Sequence, residues 1–240
     1  MHPSEDDRSR HWEGAGPVLS ACAGINIDSP WLDLRQADCM DLMKEFGDNH
    51  FDLAIVDPPY GIGMSGGNVG YKGHNELSRK SWDTAPPTED YFKELRRVSS
   101  VQIAWGGNYF NLPPSRCFIV WDKGEGFKGR TYAEGELAWC SLDANAKIFK
   151  RDPLSNGDYR GKIHPTQKPV QLYKWLLTNY AKPGQRILDT HMGSGSIAIA
   201  CHYFGANLTA CEIDEDYFRA ACQRIERETR QTTFWEGGEF

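Results

Sequence analysis

The run Phe51-Asp52-Leu53-Ala54-Ile55-Val56 ends abruptly at Asp57-Pro58-Pro59-Tyr60. Four consecutive apolar side chains leave no solvent face, so Leu53 to Val56 reads as a strand buried on both sides. Prolines lack the N–H of a ladder and fix φ, so Pro58-Pro59 cannot continue a central strand. The backbone must break there, leaving a carboxylate and an aromatic ring at the strand's carboxyl end. Open α/β sheets bind their ligands along that edge.

A second landmark lies far downstream. Arg186-Ile187-Leu188-Asp189 reads as a short strand, followed by Thr190-His191-Met192-Gly193-Ser194-Gly195-Ser196 and a helix from Ile197 to Phe204. Gly205 stands where a helix C′ residue belongs. Gly193 and Gly195 let a backbone approach a ligand closely. The next strand, Asn207 to Cys211, runs into Glu212, an acid placed to take ribose hydroxyls. The loop has no Lys-Ser/Thr of a phosphate-binding loop, and Ala198 replaces the last glycine of GxGxxG. A nucleoside without pyrophosphate fits these residues better, and S-adenosylmethionine is one.

Between the landmarks stands His164-Pro165-Thr166-Gln167-Lys168-Pro169. With Asp57-Pro58-Pro59-Tyr60 first and the glycine loop last, the chain resembles the circularly permuted DNA amino-methyltransferases often called group β. The resemblance runs from about Asp38 to Phe218. It departs at His191, where the family usually carries Phe.

The resemblance implies an α/β, Rossmann-like, S-adenosylmethionine-dependent methyltransferase fold with a seven-stranded, mostly parallel sheet. Strands near Ile187, Leu208, Leu34, Ile55, Ile103, Ile119 and Leu137 would make that sheet once the chain is cut and rejoined. It also implies a site. Asp57, Pro58 and Tyr60 would be catalytic. Asp38, Asp57, His164, Lys168, Asp189, Gly193, Ser194, Gly195 and Glu212 would hold the cofactor, with His164 and Lys168 on its methionine carboxylate. An exocyclic amino group is a poor nucleophile because its lone pair is delocalised into the ring. The Asp57 carboxylate and the Pro58 carbonyl can accept its hydrogens, and the Tyr60 ring can stack on a flipped base. Double-stranded DNA is the implied partner and adenine N6 the expected target, since relatives acting on cytosine N4 more often have Ser in place of Asp57. Cytosine N4 methylation and a non-catalytic nucleic-acid-binding protein of the same fold are the alternatives. The family often dimerises, and many members belong to restriction-modification systems.

Composition frames these expectations. At 240 residues the chain suits one sizeable α/β domain. No apolar run approaches a membrane span, and seven dispersed cysteines without a CxxC pair read as reduced thiols of a cytoplasmic protein. No cluster of ligand residues suggests a metal. The net charge of −6 argues mildly against nucleic acid, but overall charge says little about one face. Basic residues gather beside the motifs, at Lys72, Arg79 and Lys80 and at Lys147, Lys150, Arg151, Arg160, Lys162 and Lys168. They suit phosphate contacts.

The expected organisation is a flexible leader over residues 1–29, one domain over 30–230 and a flexible tail over 231–240. Within the domain, the glycine-rich residues 61–83 read as a mobile loop and 142–163 as a short recognition segment. Asp38 is expected to cap a helix, as is Thr88, and Pro169 to open one. Glu136 to Ser141 is expected at the sheet edge, and Trp105, Trp121 and Trp139 in core or rim packing.

Overall fold

The structure is a computed structural model of the chain, described here for residues 27, 29–63 and 82–230. Most of the leader, the tail and most of the 61–83 loop lie outside the described residues. Eight strands and five α-helices follow in order: β1 Leu32–Gln36, α1 Cys39–Lys44, β2 Phe51–Val56, α2 Glu89–Val98, β3 Ser99–Trp105, β4 Phe118–Asp122, β5 Gly135–Cys140, β6 Lys147–Lys150, α3 Val170–Tyr180, β7 Arg186–Asp189, α4 Ser196–Phe204, β8 Asn207–Glu212 and α5 Glu215–Arg230.

The strands form one sheet in the order β1-β8-β7-β2-β3-β5-β4-β6. From β1 to β3 every pairing is parallel, while β5 runs antiparallel to both β3 and β4. β2 sits near the middle, between β7 and β3, and its residues Leu53 to Val56 are at most 1 % exposed. The two apolar faces of β2 explain the layers. Leu53 and Ile55 join the core under α3, α4 and α5, whereas Ala54 and Val56 join the core under α1 and α2.

Local chemistry sets the helix ends. Asp38 caps α1, its carboxylate accepting from the N–H groups of Met40 at 2.8 Å and Asp41 at 3.3 Å. Asp214 does the same for α5 through Asp216 and Tyr217, both at 3.0 Å. Gly205 closes α4 in the left-handed region, its N–H on the Cys201 carbonyl. Pro169 and Thr88 stand at the N-cap positions of α3 and α2, but the Thr88 side chain makes no capping hydrogen bond, contrary to the sequence expectation.

Two details of the sheet differ from the sequence expectation. There is an eighth strand, β6, which pairs in parallel with β4 and lies inside the 142–163 segment. Its four residues alternate weakly between charged ends, but Phe149 turns inward against Trp175 at 5.5 Å, and that anchor fixes the strand. In consequence β5 is not at the edge but between β3 and β4. Trp105 and Trp121 are completely buried and Trp139 is 6 % exposed, so all three are core. Among the described cysteines, Cys39, Cys117, Cys140, Cys201 and Cys211 are free thiols, and Cys222 is disulfide-bonded, an exception to the expected reduced set. No described helix is long and apolar enough to cross a membrane.

Candidate active site

The carboxyl ends of the central strands bring the two landmarks together. Asp57 leaves β2 directly and its carboxylate is taken on both sides. Oδ1 accepts from the Tyr60 hydroxyl at 2.7 Å and Oδ2 from the Lys168 ammonium at 2.5 Å. Lys168 reaches a second acid, Glu136 of β5, at 3.1 Å, and Glu136 pairs in turn with Lys123 at 2.7 Å. The result is a row of alternating charge, Asp57, Lys168, Glu136, Lys123, drawn from four separate parts of the chain. Burial pushes the Asp57 carboxyl above its ordinary range, although Lys168 opposes that. Burial works against the Lys168 ammonium, but Asp57 and Glu136 outweigh it and hold the pKa above its usual value. Burial would raise Glu136 as well, yet its two lysines bring it down to about 2.

Tyr60 lies flat against Tyr109, with ring centroids 5.0 Å apart and planes 16° from parallel. The ring is seated on Gly106, the residue after β3. Gly106 has φ +73, and a Cβ built there would stand 2.2 Å from a Tyr60 ring carbon. Only glycine combines that left-handed backbone with that close approach. These residues border a cavity of about 830 Å³, whose lining includes Pro58, Trp82, Tyr109, Lys123, Glu136 and Lys162. A space of that size lies within the range of small-ligand pockets.

On the far side of Asp57 the glycine loop joins β7 to α4. Asp189 is 1 % exposed and accepts from the His191 N–H at 3.0 Å; burial lifts its pKa to about 8. Glu212, at the end of β8, accepts from Gly193 N–H and Asp214 N–H, both at 3.0 Å. The acid thus shapes the loop, and burial raises its pKa. Gly193 and Gly195 both have positive φ, but for different neighbours. A Cβ on Gly195 would meet Ile225 of α5 at 2.7 Å, so that glycine serves helix packing, whereas one on Gly193 would lie 3.6 Å from the His164 ring. Ser194 is buried, and its hydroxyl pairs with Ser196 at 3.2 Å. Its carbonyl accepts from the buried Arg224 of α5 at 2.8 Å.

The His164–Pro169 segment bridges the two halves. Ser196 Oγ donates to the Lys168 carbonyl at 2.7 Å, and Gln167 donates to the Asp158 carbonyl at 3.3 Å. The segment's two expected carboxylate holders part company. Lys168 goes to Asp57, while the His164 ring stays beside the glycine loop, 4.4 Å from Tyr217 and 5.3 Å from Trp82. Burial lowers the His164 pKa to about 3, so the ring is neutral. His191 is neutral too, lowered by burial to about 4, and stands edge-on to Tyr91 at 5.6 Å. Its Nδ1 pairs with Thr190 Oγ1 at 2.9 Å. Asp38 stands exposed just past the end of β1, next to β8, and its carboxylate accepts the two capping bonds of α1.

The basic stretch divides. Arg151 is tied to Asp158 at 2.7 Å and Lys147 to Asn179 at 2.6 Å. Lys162 lies in the cavity over the Tyr159 ring at 4.2 Å, and burial with Lys123 nearby lowers its pKa to about 8. Sequence reasoning missed Gly106, Tyr109, Lys123, Glu136 and Arg224. None belongs to a motif, and only the antiparallel pairing of β4 with β5 places Lys123 and Glu136 together.

Comparison with known proteins agrees with this geometry. Residues 119–223 match the N6/N4 methyltransferase family described as DNA methylase. YubD of Escherichia coli (strain K12) is 26 % identical over 209 residues, covering 79 % of this chain and 88 % of that protein. The type II methyltransferase M.HpaI of Haemophilus parainfluenzae is 23 % identical over 235 residues, covering 78 % of this chain and 71 % of that protein. Among solved structures, the M1.HpyAVI–SAM complex superposes with a TM-score of 0.52 at 18 % identity, covering 80 % of this chain and 99 % of that one. The cytosine-N4-specific PvuII DNA methyltransferase gives 0.52 at 14 % identity, covering 89 % and 98 %. With Asp57-Pro58-Pro59-Tyr60 and the glycine loop meeting at one sheet edge, the chain is similar to the DNA amino-methyltransferases in sequence and in fold.

Proposed function

We propose that this protein transfers a methyl group from S-adenosylmethionine to the N6 amino group of adenine in double-stranded DNA, as a permuted, group β enzyme. The observation that carries the reading is the Asp57 carboxylate at the end of β2, oriented by Tyr60 and Lys168 on the wall of a cavity that has ample room for a base.

The residues on the glycine-loop side fit the cofactor. Asp38 and Glu212 end adjacent strands and carry acceptor oxygens, and the segment from Asp189 to Ser196 contains no Lys or Arg that would call for a phosphate. Asp38, His164, Asp189, Gly193, Ser194, Gly195 and Glu212 would hold it, with Ser194 and the glycines acting through their backbone. When bound, it supplies an electrophilic methyl group. Asp57 accepts a hydrogen of the target amino group and so frees the nitrogen lone pair, and Pro58 offers its carbonyl to the other hydrogen. Tyr60, flat on Tyr109, presents an aromatic surface for a base taken out of the stack. These groups would align the nitrogen with that methyl group, and Asp57 would receive the proton that the nitrogen sheds. Catalysis is alignment plus oriented acceptors. Lys162 and the 151–163 chain around the cavity supply DNA contacts.

Incubating the protein with DNA and cofactor, then separating the nucleosides by mass, tests the reading. N6-methyladenine is expected. N4-methylcytosine alone would overturn adenine as target and keep the amino-methyltransferase chemistry; no methylated base would overturn both.

A further inference from the structure

We propose that Glu136 is a positioning residue for methyl transfer, holding the Lys168 ammonium so that the target amino group can take that ammonium's place on Asp57. The inference rests on the amino-methyltransferase reading above.

The Lys168 ammonium is a donor-only group bonded to Asp57 Oδ2, while Oδ1 already receives the Tyr60 hydroxyl. An exocyclic amino group needs that same carboxylate as acceptor. Lys168 therefore stands where the substrate nitrogen must dock, and it must loosen its hold without leaving its charge stranded. Its contact with water is slight, since its side chain is 2 % exposed and its ammonium lies 5.3 Å from the Trp105 ring centroid and 5.9 Å from that of Tyr60. A buried ammonium deprived of its partner is strongly destabilised. Glu136 resolves the conflict. It is already within 3.1 Å of Lys168, so the ammonium can shift its bonding from one carboxylate to the other by a small movement.

Glu136 is itself fixed from the other side. Lys123 pairs with its second oxygen at 2.7 Å, and the Lys123 ammonium sits 5.1 Å from the rings of both Trp121 and Phe127. Glu136 lies opposite Trp121 in the β4–β5 register, so the hairpin sets its position. Two acids and two lysines make a neutral row, which suits a pocket for a neutral base. The other titratable groups acting on this row are Tyr60 after β2, Tyr159 and Lys162 in the 151–163 chain, Tyr173 on α3 and Asp189 on β7.

The test replaces Glu136 with Gln in the full chain and compares single-turnover methyl transfer, cofactor affinity and the pH profile. Glu136→Gln should slow transfer by about 10²-fold, the scale of a 1 Å misplacement at a reacting centre. Cofactor affinity should not change, because Glu136 lies on β5, which β2 and β3 separate from β7 and the glycine loop. The acid limb of the profile should move to lower pH, because Glu136 raises the Asp57 pKa and its loss leaves Lys168 bonded to Asp57 alone. A purely structural role would slow the reaction without moving that limb. If Glu136→Gln does not fold, Glu136→Asp carries the test. Its shorter arm cannot meet both lysines, and slower transfer with unchanged cofactor binding is expected. A folded variant with wild-type transfer and an unmoved acid limb would overturn the inference alone. Absence of transfer by the wild-type chain would overturn the reading beneath it, and the inference with it.

Discussion

Gly106→Ala should separate base capture from cofactor binding. The added methyl group meets two penalties. Gly106 has φ +73, and the left-handed region costs an L-residue roughly 1–2 kcal/mol. The methyl would also stand 2.2 Å from a Tyr60 ring carbon, so the ring must leave its seat on Gly106. Displacing it parts Tyr60 from Tyr109, and base stacking on an aromatic face is worth roughly 1–3 kcal/mol. DNA affinity or the base-capture step should therefore fall about 5- to 150-fold, a factor of ten for each 1.4 kcal/mol. The backbone strain should lower the melting temperature by roughly 2–8 °C in a domain of this size. Cofactor affinity should hold, because Gly106 follows β3 and the glycine loop follows β7. Calorimetry with the cofactor and fluorescence from 2-aminopurine at the target position would read the two steps separately. Wild-type base capture by Gly106→Ala, or equal loss of cofactor and base binding, would refute the reasoning.

Asp57→Ala should abolish transfer by about 10²–10³-fold or more while the fold persists, as Lys168 keeps Glu136; radiolabelled methyl incorporation and circular dichroism check the two halves. Tyr60→Phe keeps the stacking ring but removes the bond that orients Asp57, so it should stay far more active than Tyr60→Ala under the same assay. Lys162 loses its charge near pH 8, so DNA affinity should drop between pH 7 and pH 9 in the wild type, and Lys162→Arg should flatten that drop in titrations at fixed salt. His164 and His191 titrate at about 3 and about 4 when folded, against about 6.5 unfolded, so the unfolded chain takes up their protons first. Stability should decline as pH falls from about 6.5 toward 4, and His191→Phe should reduce that decline in urea titrations.

The parts of this molecule that the sequence declared are those with local causes. β2 announced itself through an apolar run cut by two prolines, α1 through Asp38, and α4 through the glycine on each side of it. Those signals are carried by neighbouring residues, and the elements formed within a residue or two of their expected limits. What the sequence hid depends on distant partners. Lys123, Glu136 and Lys168 are remote along the chain, and their pairing follows from strand order, which no local pattern encodes. Gly195 looked like a ligand-facing glycine but faces Ile225, a contact set by how α5 packs on α4. β6 was masked by its lysines, and only the Phe149–Trp175 contact reveals why so polar a segment joins a sheet.

The strand order also dictates a sequence of events during synthesis. β3, β5, β4 and β6 are contiguous in the sheet with β2 and are all made before α3. That half can zip together as the chain emerges, since domains form from the amino-terminal side at about 5–20 residues per second. The residues of the Tyr60 seat and of the Lys123–Glu136 pair are thus all synthesised before α3. β2, however, must wait for β7, and β1 must wait still longer for β8, its partner through Leu32↔Leu208. Such long-range parallel pairings are intrinsically slow. Until they close, β2 presents an unpaired apolar edge, and Asp57 lacks Lys168. A chain halted after β6 and before β7 would therefore hold the half-sheet that carries Tyr60, Lys123 and Glu136 without the glycine loop.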